Sequence, residues 1–394
     1  MEVREPSAKY LARIGYKQTE VGVIPEDWDV VDLGGTCTKV TTGKLDANAM
    51  KENGEYRFYT CAKDYYQIDT YAFDTEALLV SENGANVGYI HYYKGKFNAY
   101  QRTYVLSGFL ESIKYLQHYM GQKLTDRLRV EVNAGNTPYI TRGTLTEMKV
   151  ALPPTKAEQE AIAEALCDAD ALIESLEKVL AKKRDLKQGT MQELLTGKKQ
   201  LPGFSGKWDV KRLGEIVQPR KERVDPRRTG PREFCIELEH IEQGTGCLVG
   251  YTTTSEGSSL KSVFQSGDVL FGKLRAYLRK YWLANREGVC STEIWVLVAK
   301  RPIVIPEFLF QLVTVDRFIE VASTAYGTHM PRSDWNVVKN FEIHLPSVEE
   351  QAAIAAILSD MDAELAALEE KLAKARDIKQ GMMQELLTGR IRLI

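Results

Sequence analysis

The stretch "KKRDLKQGTMQELLTGKKQL" occupies Lys182 to Leu201, and "KARDIKQGMMQELLTGRIRL" occupies Lys374 to Leu393. At a shift of 192, positions 182–197 and 374–389 agree at thirteen of sixteen residues, far more than helical composition alone produces. Working back from the first copy, Ile162, Leu166, Ala169, Ile173, Leu176 and Leu180 step by fours and threes, the spacing of a coiled-coil seam. The second copy repeats it with Ile354, Leu358, Met361, Leu365, Leu368 and Leu372. The spacing predicts two long helices, each a rod of roughly 58 Å at 1.5 Å per residue. Each follows a Leu-Pro step, Leu152-Pro153 or Leu345-Pro346, and each ends at "LLTG" with Gly197 or Gly389 placed for a left-handed cap.

The duplication extends upstream. "PEDWDVVDLGG" (25–35) is matched by "SGKWDVKRLGE" (205–215) at a shift of 180, so the chain runs globule, helix, globule, helix. Between the repeats, 36–150 and 216–344 differ from each other, yet both are rich in β-branched and aromatic residues broken by Gly, Asn and Asp. Short strands and turns are expected, followed in each by a helix ("FLESIKYLQHYMGQKL" and "PEFLFQLVTVDRFIEVAS"). The fold class is therefore α+β, with two mixed globules and two long coiled-coil helices in an internal repeat, each helix the nearest candidate partner for the other's apolar stripe. The expected boundaries are an N-terminal tail at 1–24, a first globule at 25–151, helix at 152–197, linker at 198–207, a second globule at 208–344, helix at 345–389 and a tail at 390–394.

Composition narrows the chemistry. The 52 basic and 54 acidic residues leave a net charge of −2, but the charge is segregated. The helical segments 155–197 and 347–389 carry −3 and −5, whereas the inserts 38–150 and 216–344 each carry +2. No apolar run is long enough for a membrane span, and the polar N-terminus is unlike a secretory signal, which leaves the cytoplasm as the expected location. Six single cysteines and five histidines show no metal-ligand spacing, so no metal and no catalytic residue is expected. "GDVLFGKL" (267–274) matches GxxxxGK but has Leu274 where a phosphate loop needs Ser or Thr, and its apolar middle reads as a strand.

Basic and amide side chains interleaved with aromatics point instead to DNA, since Arg, Lys, Asn and Gln read base edges while additional cations hold phosphates. In the first insert the candidates are Thr42, Lys44, Ser81, Asn83, Asn86, Gln101, Arg102 and Asn136; in the second they are Arg220, Lys221, Arg223, Lys273, Arg275, Tyr277, Arg279, Lys280, Thr328, His329 and Arg332. Ordinary surface charge and turn formation are the competing explanations for each. In the duplicated tails, Lys187, Gln188, Gln192 and Glu193 are matched by Lys379, Gln380, Gln384 and Glu385, and are candidates for subunit docking or helix pairing.

With "GYKQTEVGVIPEDWDV", "LPPTKAEQEAIAEAL", "KQGTMQELLTG", "GKLRAYLRKYWLA" and "GTHMPRSDW" in view, the whole chain resembles the specificity subunit of type I restriction-modification enzymes. The resemblance implies two target recognition domains related by a pseudo-twofold repeat, each reading half of a split double-stranded DNA site, with the two long helices packed antiparallel as the spacer. It further implies two DNA adenine methyltransferase subunits docked on the helices and two motor-nuclease subunits completing the complex. Cofactors would be absent from this chain, with S-adenosylmethionine, ATP and Mg belonging to partners. An enzyme acting on DNA by itself would need a methyltransferase or nuclease motif that the sequence lacks, and a coiled-coil scaffold would show no sequence preference for DNA.

Overall fold

The structure is a computed structural model that describes residues 15–131, 139–255, 259–324 and 331–393. The chain divides into two compact units, Met1–Glu177 with Lys371–Ile394, and Lys178–Glu370.

The first unit is built on a six-stranded sheet from β1 (Cys37–Thr42), β2 (Tyr56–Tyr59), β3 (Tyr66–Ile68), β4 (Phe73–Ser81), β5 (Ile90–Ala99) and β6 (Thr103–Phe109), in the order β1-β6-β4-β5-β2-β3. All pairs are antiparallel except β2 with β5. Leu78 and Val80 on one face pack with Tyr115, Leu116, Tyr119 and Met120 of α1 (Ile113–Glu131); Leu79 and Val105 point to the other face with Tyr59 and Phe97. Alternation along β4 thus serves two cores.

The second unit has two four-stranded sheets. One orders β7 (Val217–Pro219), β14 (Ile294–Ala299), β11 (Val269–Gly272) and β12 (Tyr281–Leu283); the other orders β8 (Arg223–Val224), β10 (Lys261–Phe264), β13 (Gly288–Ser291) and β9 (Cys235–Ile236). The GxxxxGK stretch is β11, a buried strand. The segment expected as one helix is two, α3 (Pro306–Thr314) and a second at Asp316–Ser323, because Val315 between them is extended (φ −69°, ψ 145°).

Both long helices form, α2 at Lys156–Leu194 and α4 at Val348–Leu386. Each is shared between units. In the first, Ile162 and Leu166 near the start of α2 and Leu386 and Leu387 at the end of α4 join Trp28 in one core. In the second, Leu194 and Leu195 at the end of α2 join Ile354 and Leu358 of α4, with Trp208 packed against them. The start of each expected seam therefore packs into a globule. Farther along, Leu176, Leu180 and Leu372 are buried, while Ile173, Met361, Leu365 and Leu368 are half-buried.

The helices run antiparallel within each unit, as cross-helix ion pairs show. In the second unit Arg184 meets Glu369 at 2.5 Å and Lys187 meets Asp362; in the first, Arg376 meets Glu177 at 2.6 Å and Lys379 meets Asp170 at 2.5 Å. The pairs repeat at a shift of 192. Each is partly exposed and contributes about 0–1 kcal/mol, so they set register more than stability. Gly197 (φ 71°) and Gly389 (φ 69°) take the left-handed conformation that ends each helix, facing Trp208 and Trp28 respectively.

A further repeat lies at the helix starts. Gln159 accepts from the Ser112 backbone N–H at 2.9 Å and donates to Pro153 O at 3.2 Å. Gln351 accepts from the Ile305 N–H at 3.1 Å and donates to Pro346 O and Ile303 O at 3.0 Å. Both are at most 2% exposed, so each satisfies backbone groups where a long helix meets its globule.

Candidate nucleic-acid interface

In the first unit, turns from distant parts of the sequence meet beyond the ends of β1, β4 and β6. Gly43 N–H donates to Thr103 O at 3.2 Å, Gln101 N–H to Leu45 O at 2.9 Å, Glu82 N–H to Arg102 O at 2.9 Å, and Ile140 N–H to Glu82 O at 2.8 Å. Gly43 is required there, since a Cβ would lie 1.9 Å from Ala99 O. This network brings Thr42, Lys44, Asn83, Gln101 and Arg102 to one edge. Lys44, Gln101 and Arg102 are exposed, Thr42 and Asn83 half-buried. Arg102 lies 3.7 Å from Glu82.

Two candidates there are engaged internally. Ser81 is fully buried, and the Asn86 side-chain amide donates to Cys61 O at 2.9 Å. That bond reveals a loop the sequence reading missed, Thr60 to Tyr65. Cys61 Sγ lies 3.1 Å from Arg102 O, and His91 Nε2 lies 2.9 Å from Ala62 O. Burial lowers the His91 pKa, so the neutral ring donates from Nε2 to that carbonyl. His91 sits against Tyr59 and Tyr89, and the Arg57 guanidinium lies 4.2 Å from the Tyr65 ring and 4.6 Å from that of Tyr93. Exposed Tyr65, Tyr66, Tyr89 and Tyr139 add aromatic surface. The tyrosine-rich "YTCAKDYY" was the available signal; no spacing rule marks such a loop.

In the second unit the corresponding feature is the Lys273–Lys280 turn. It is held by Lys273 N–H to Glu293 O at 2.9 Å, Ser333 N–H to Lys273 O at 2.8 Å and Arg275 N–H to Pro331 O at 2.9 Å. Arg275 (φ 54°) and Arg279 (φ 51°) are the non-glycine residues with positive φ among those described, and between them a single 3-10 turn lifts Tyr277 to 52% exposure. Such strain persists where surroundings over-determine it, often at functional sites. Arg275 is exposed and Lys273 half-buried.

The neighbouring cations differ in freedom. Arg279 pairs with Asp316 at 2.5 Å, Lys280 donates to Ile241 O at 2.6 Å, and Arg332 pairs with Glu293 at 2.8 Å. Arg220 is bound by both oxygens of buried Asp268 and by Gln265, a structural bracket between β7 and β11. Lys221 and Arg223 remain exposed. Asn136, Thr328 and His329 lie outside the described residues.

Of the duplicated tail residues, Lys187 and Lys379 pair the helices, while Gln188, Gln192, Glu193, Gln380 and Gln384 are exposed and Glu385 half-buried. Among the described residues no group of His, Cys, Asp and Glu could hold a metal, and no helix is long and apolar enough to cross a membrane.

The type I restriction modification DNA specificity domain matches twice, at residues 25–183 and 205–375. The chain belongs to this family. Among relatives of this specificity-domain chain, the EcoDI type I restriction enzyme specificity subunit of Escherichia coli is 30% identical, the match covering 94% of this chain and 90% of that one. The MjaVIII specificity subunit of Methanocaldococcus jannaschii is 26% identical, with 94% of each covered. The crystal structure of the specificity subunit from M. genitalium shares the fold at a TM-score of 0.63 and 14% identity, covering 91% of this chain and 96% of its own. A structure described in terms of complex assembly and conformational transition of the type I restriction-modification system matches at a TM-score of 0.51 and 16% identity, covering 93% and 99%.

Proposed function

We propose that this specificity subunit reads a split DNA site, one half through the Lys44, Asn83, Gln101 and Arg102 edge and the other through the Lys273–Tyr277 turn with Lys221 and Arg223. The observation that carries this is a scaffold repeated down to its cross-helix ion pairs, on which a six-stranded sheet in one unit and two four-stranded sheets in the other present two different sets of loops. A duplicated holder with unlike tips suits two unlike half-sites. At roughly 1–3 kcal/mol per read base pair, about three base pairs per half supply ample discrimination.

Arg220 contributes by stiffening its sheet, and Asn86 by fixing the Cys61 loop, both away from DNA. The long helices set the spacing between the half-sites and dock two DNA adenine methyltransferase subunits; two motor-nuclease subunits complete the restricting complex. Those partners bring S-adenosylmethionine, ATP and Mg, and the complex works in the cytoplasm, where the DNA is. The modest charge of each insert means that affinity builds only when the partners close around the duplex.

The test is methylome sequencing of cells carrying the native gene or a chimera with 36–150 taken from a relative. One split adenine motif, altered in one half by the chimera, is the expected result. Change in both halves, or no motif lost on deletion, would overturn the reading.

A further inference from the structure

Loop 60–65 has no helix or strand of its own, yet its backbone is bound by side chains, two of them from 25 and 29 positions away. Asn86 donates to Cys61 O and His91 to Ala62 O, both at 2.9 Å, while Thr60 Oγ1 accepts from the Ala62 N–H at 3.2 Å. Water can satisfy such groups on a surface loop, so what Asn86 and His91 add is a fixed shape. Cys61 Sγ, 3.1 Å from Arg102 O and 3.5 Å from Asn83 Oδ1, joins that shape to the edge described above.

The tip is held as firmly. The Arg57 guanidinium, which donates to the Tyr59 hydroxyl at 3.4 Å, lies 4.2 Å from the Tyr65 ring and 4.6 Å from that of Tyr93. Tyr59 is 2% exposed, so this clamp is rooted in the sheet. Tyr65 itself keeps 45% of its surface open. A ring immobilised before any ligand arrives, yet facing solvent, suits a binding contact, since little freedom is left to lose on association. Lys63 and Asp64 beside it are also exposed and cancel in charge, so the loop's part is selection rather than attraction.

We infer that Tyr65 is a further specificity-determining residue for the first half-site, its ring packing against the C5-methyl group of a thymine in the major groove, in addition to the base pairs read from the Asn83 and Arg102 edge. An aromatic ring offers apolar contact, and among base edges the thymine methyl is the group that takes it. Asn86, His91 and Arg57 are positioning residues, which act through the loop without reaching the DNA. This rests on the reading above, in which that edge faces the duplex.

The test uses the full-length chain with the methyltransferase subunits of the same system, and competes the duplex carrying the native motif against duplexes altered at one base pair at a time. In the unaltered complex, replacing the thymine lowers affinity by about tenfold or more. Tyr65→Ala should bring the two duplexes at that position within about twofold, leaving every other position as before, whereas Tyr65→Phe keeps the ring and should retain the discrimination. Asn86→Ala should relax the same position, and the double variant no further than Tyr65→Ala alone. Ratios between duplexes stay readable even where a variant binds more weakly. Preference unchanged at every position in Tyr65→Ala, or relaxed in the other half-site, would overturn the inference while leaving the DNA reading intact. An unaltered complex with no preference for a split motif would sink both.

Discussion

Two matched corners of the molecule solve one problem with different polar partners. Glu158 and Glu350 occupy the same place in the repeat, at the start of a long helix, and both are at most 4% exposed. In the first unit Arg392 holds Glu158 and also pairs with Asp27 at 3.0 Å, while the Trp28 ring is completely buried and its Nε1 has no partner among the described residues. In the second, Gln200 stands where the repeat would place Arg392, and Glu350 accepts instead from Trp208 Nε1 at 3.0 Å. A buried carboxylate must be satisfied, but which donor does so is free to vary. What duplication preserves is the requirement.

The largest expected break in this comparison is Trp28→Ala, which empties the centre of the first core and costs about 4 kcal/mol in urea denaturation. Trp208→Ala removes a partly exposed ring and one hydrogen bond, and should cost about half as much. Equal losses would mean that the two corners are energetically alike despite their different burial.

A second break is pH. Burial pushes the His118 imidazole from 6.5 down to about 4, against the pull of Asp170; its ring lies 3.4 Å from Cys167 Sγ. Because the folded value is depressed, its contribution is complete above pH 6.5 and is lost as pH falls toward 4, a decline of about 3 kcal/mol. His118→Gln should flatten that part of the stability curve. An unchanged decline would assign it to other groups.

The glutamine brackets should behave alike. Gln159→Leu and Gln351→Leu each leave backbone groups unsatisfied, and each is expected to cost about 2 kcal/mol by thermal denaturation. A large inequality would show that one unit carries the other. Smallest is Arg392→Gln, which imitates the second unit and should cost about 1 kcal/mol, since Glu158 loses its ionic partner but keeps an amide donor within reach.

Much of the scaffold was legible because periodicity and self-similarity are properties of the chain itself. The two long helices, the caps at Gly197 and Gly389, and the strand reading of "GDVLFGKL" needed only spacing and residue type. The tips were less legible. Arg220 reads as a surface cation, and only the fold brings Asp268 under it. Asn83-Gly84 looks like a hairpin turn, yet Asn86 two residues on is spent on Cys61, a partner 25 positions away. The Val315 break between two helices carries neither proline nor glycine to announce it. Pairings across long separations are set by the third dimension and leave no local pattern.

The last turn of α4 and Arg392 belong to the first unit, whose core includes Leu386 and Leu387. As the polypeptide leaves the ribosome, the globule made first must therefore wait, with Trp28 uncovered, until Leu386, Leu387 and Arg392 have followed it out.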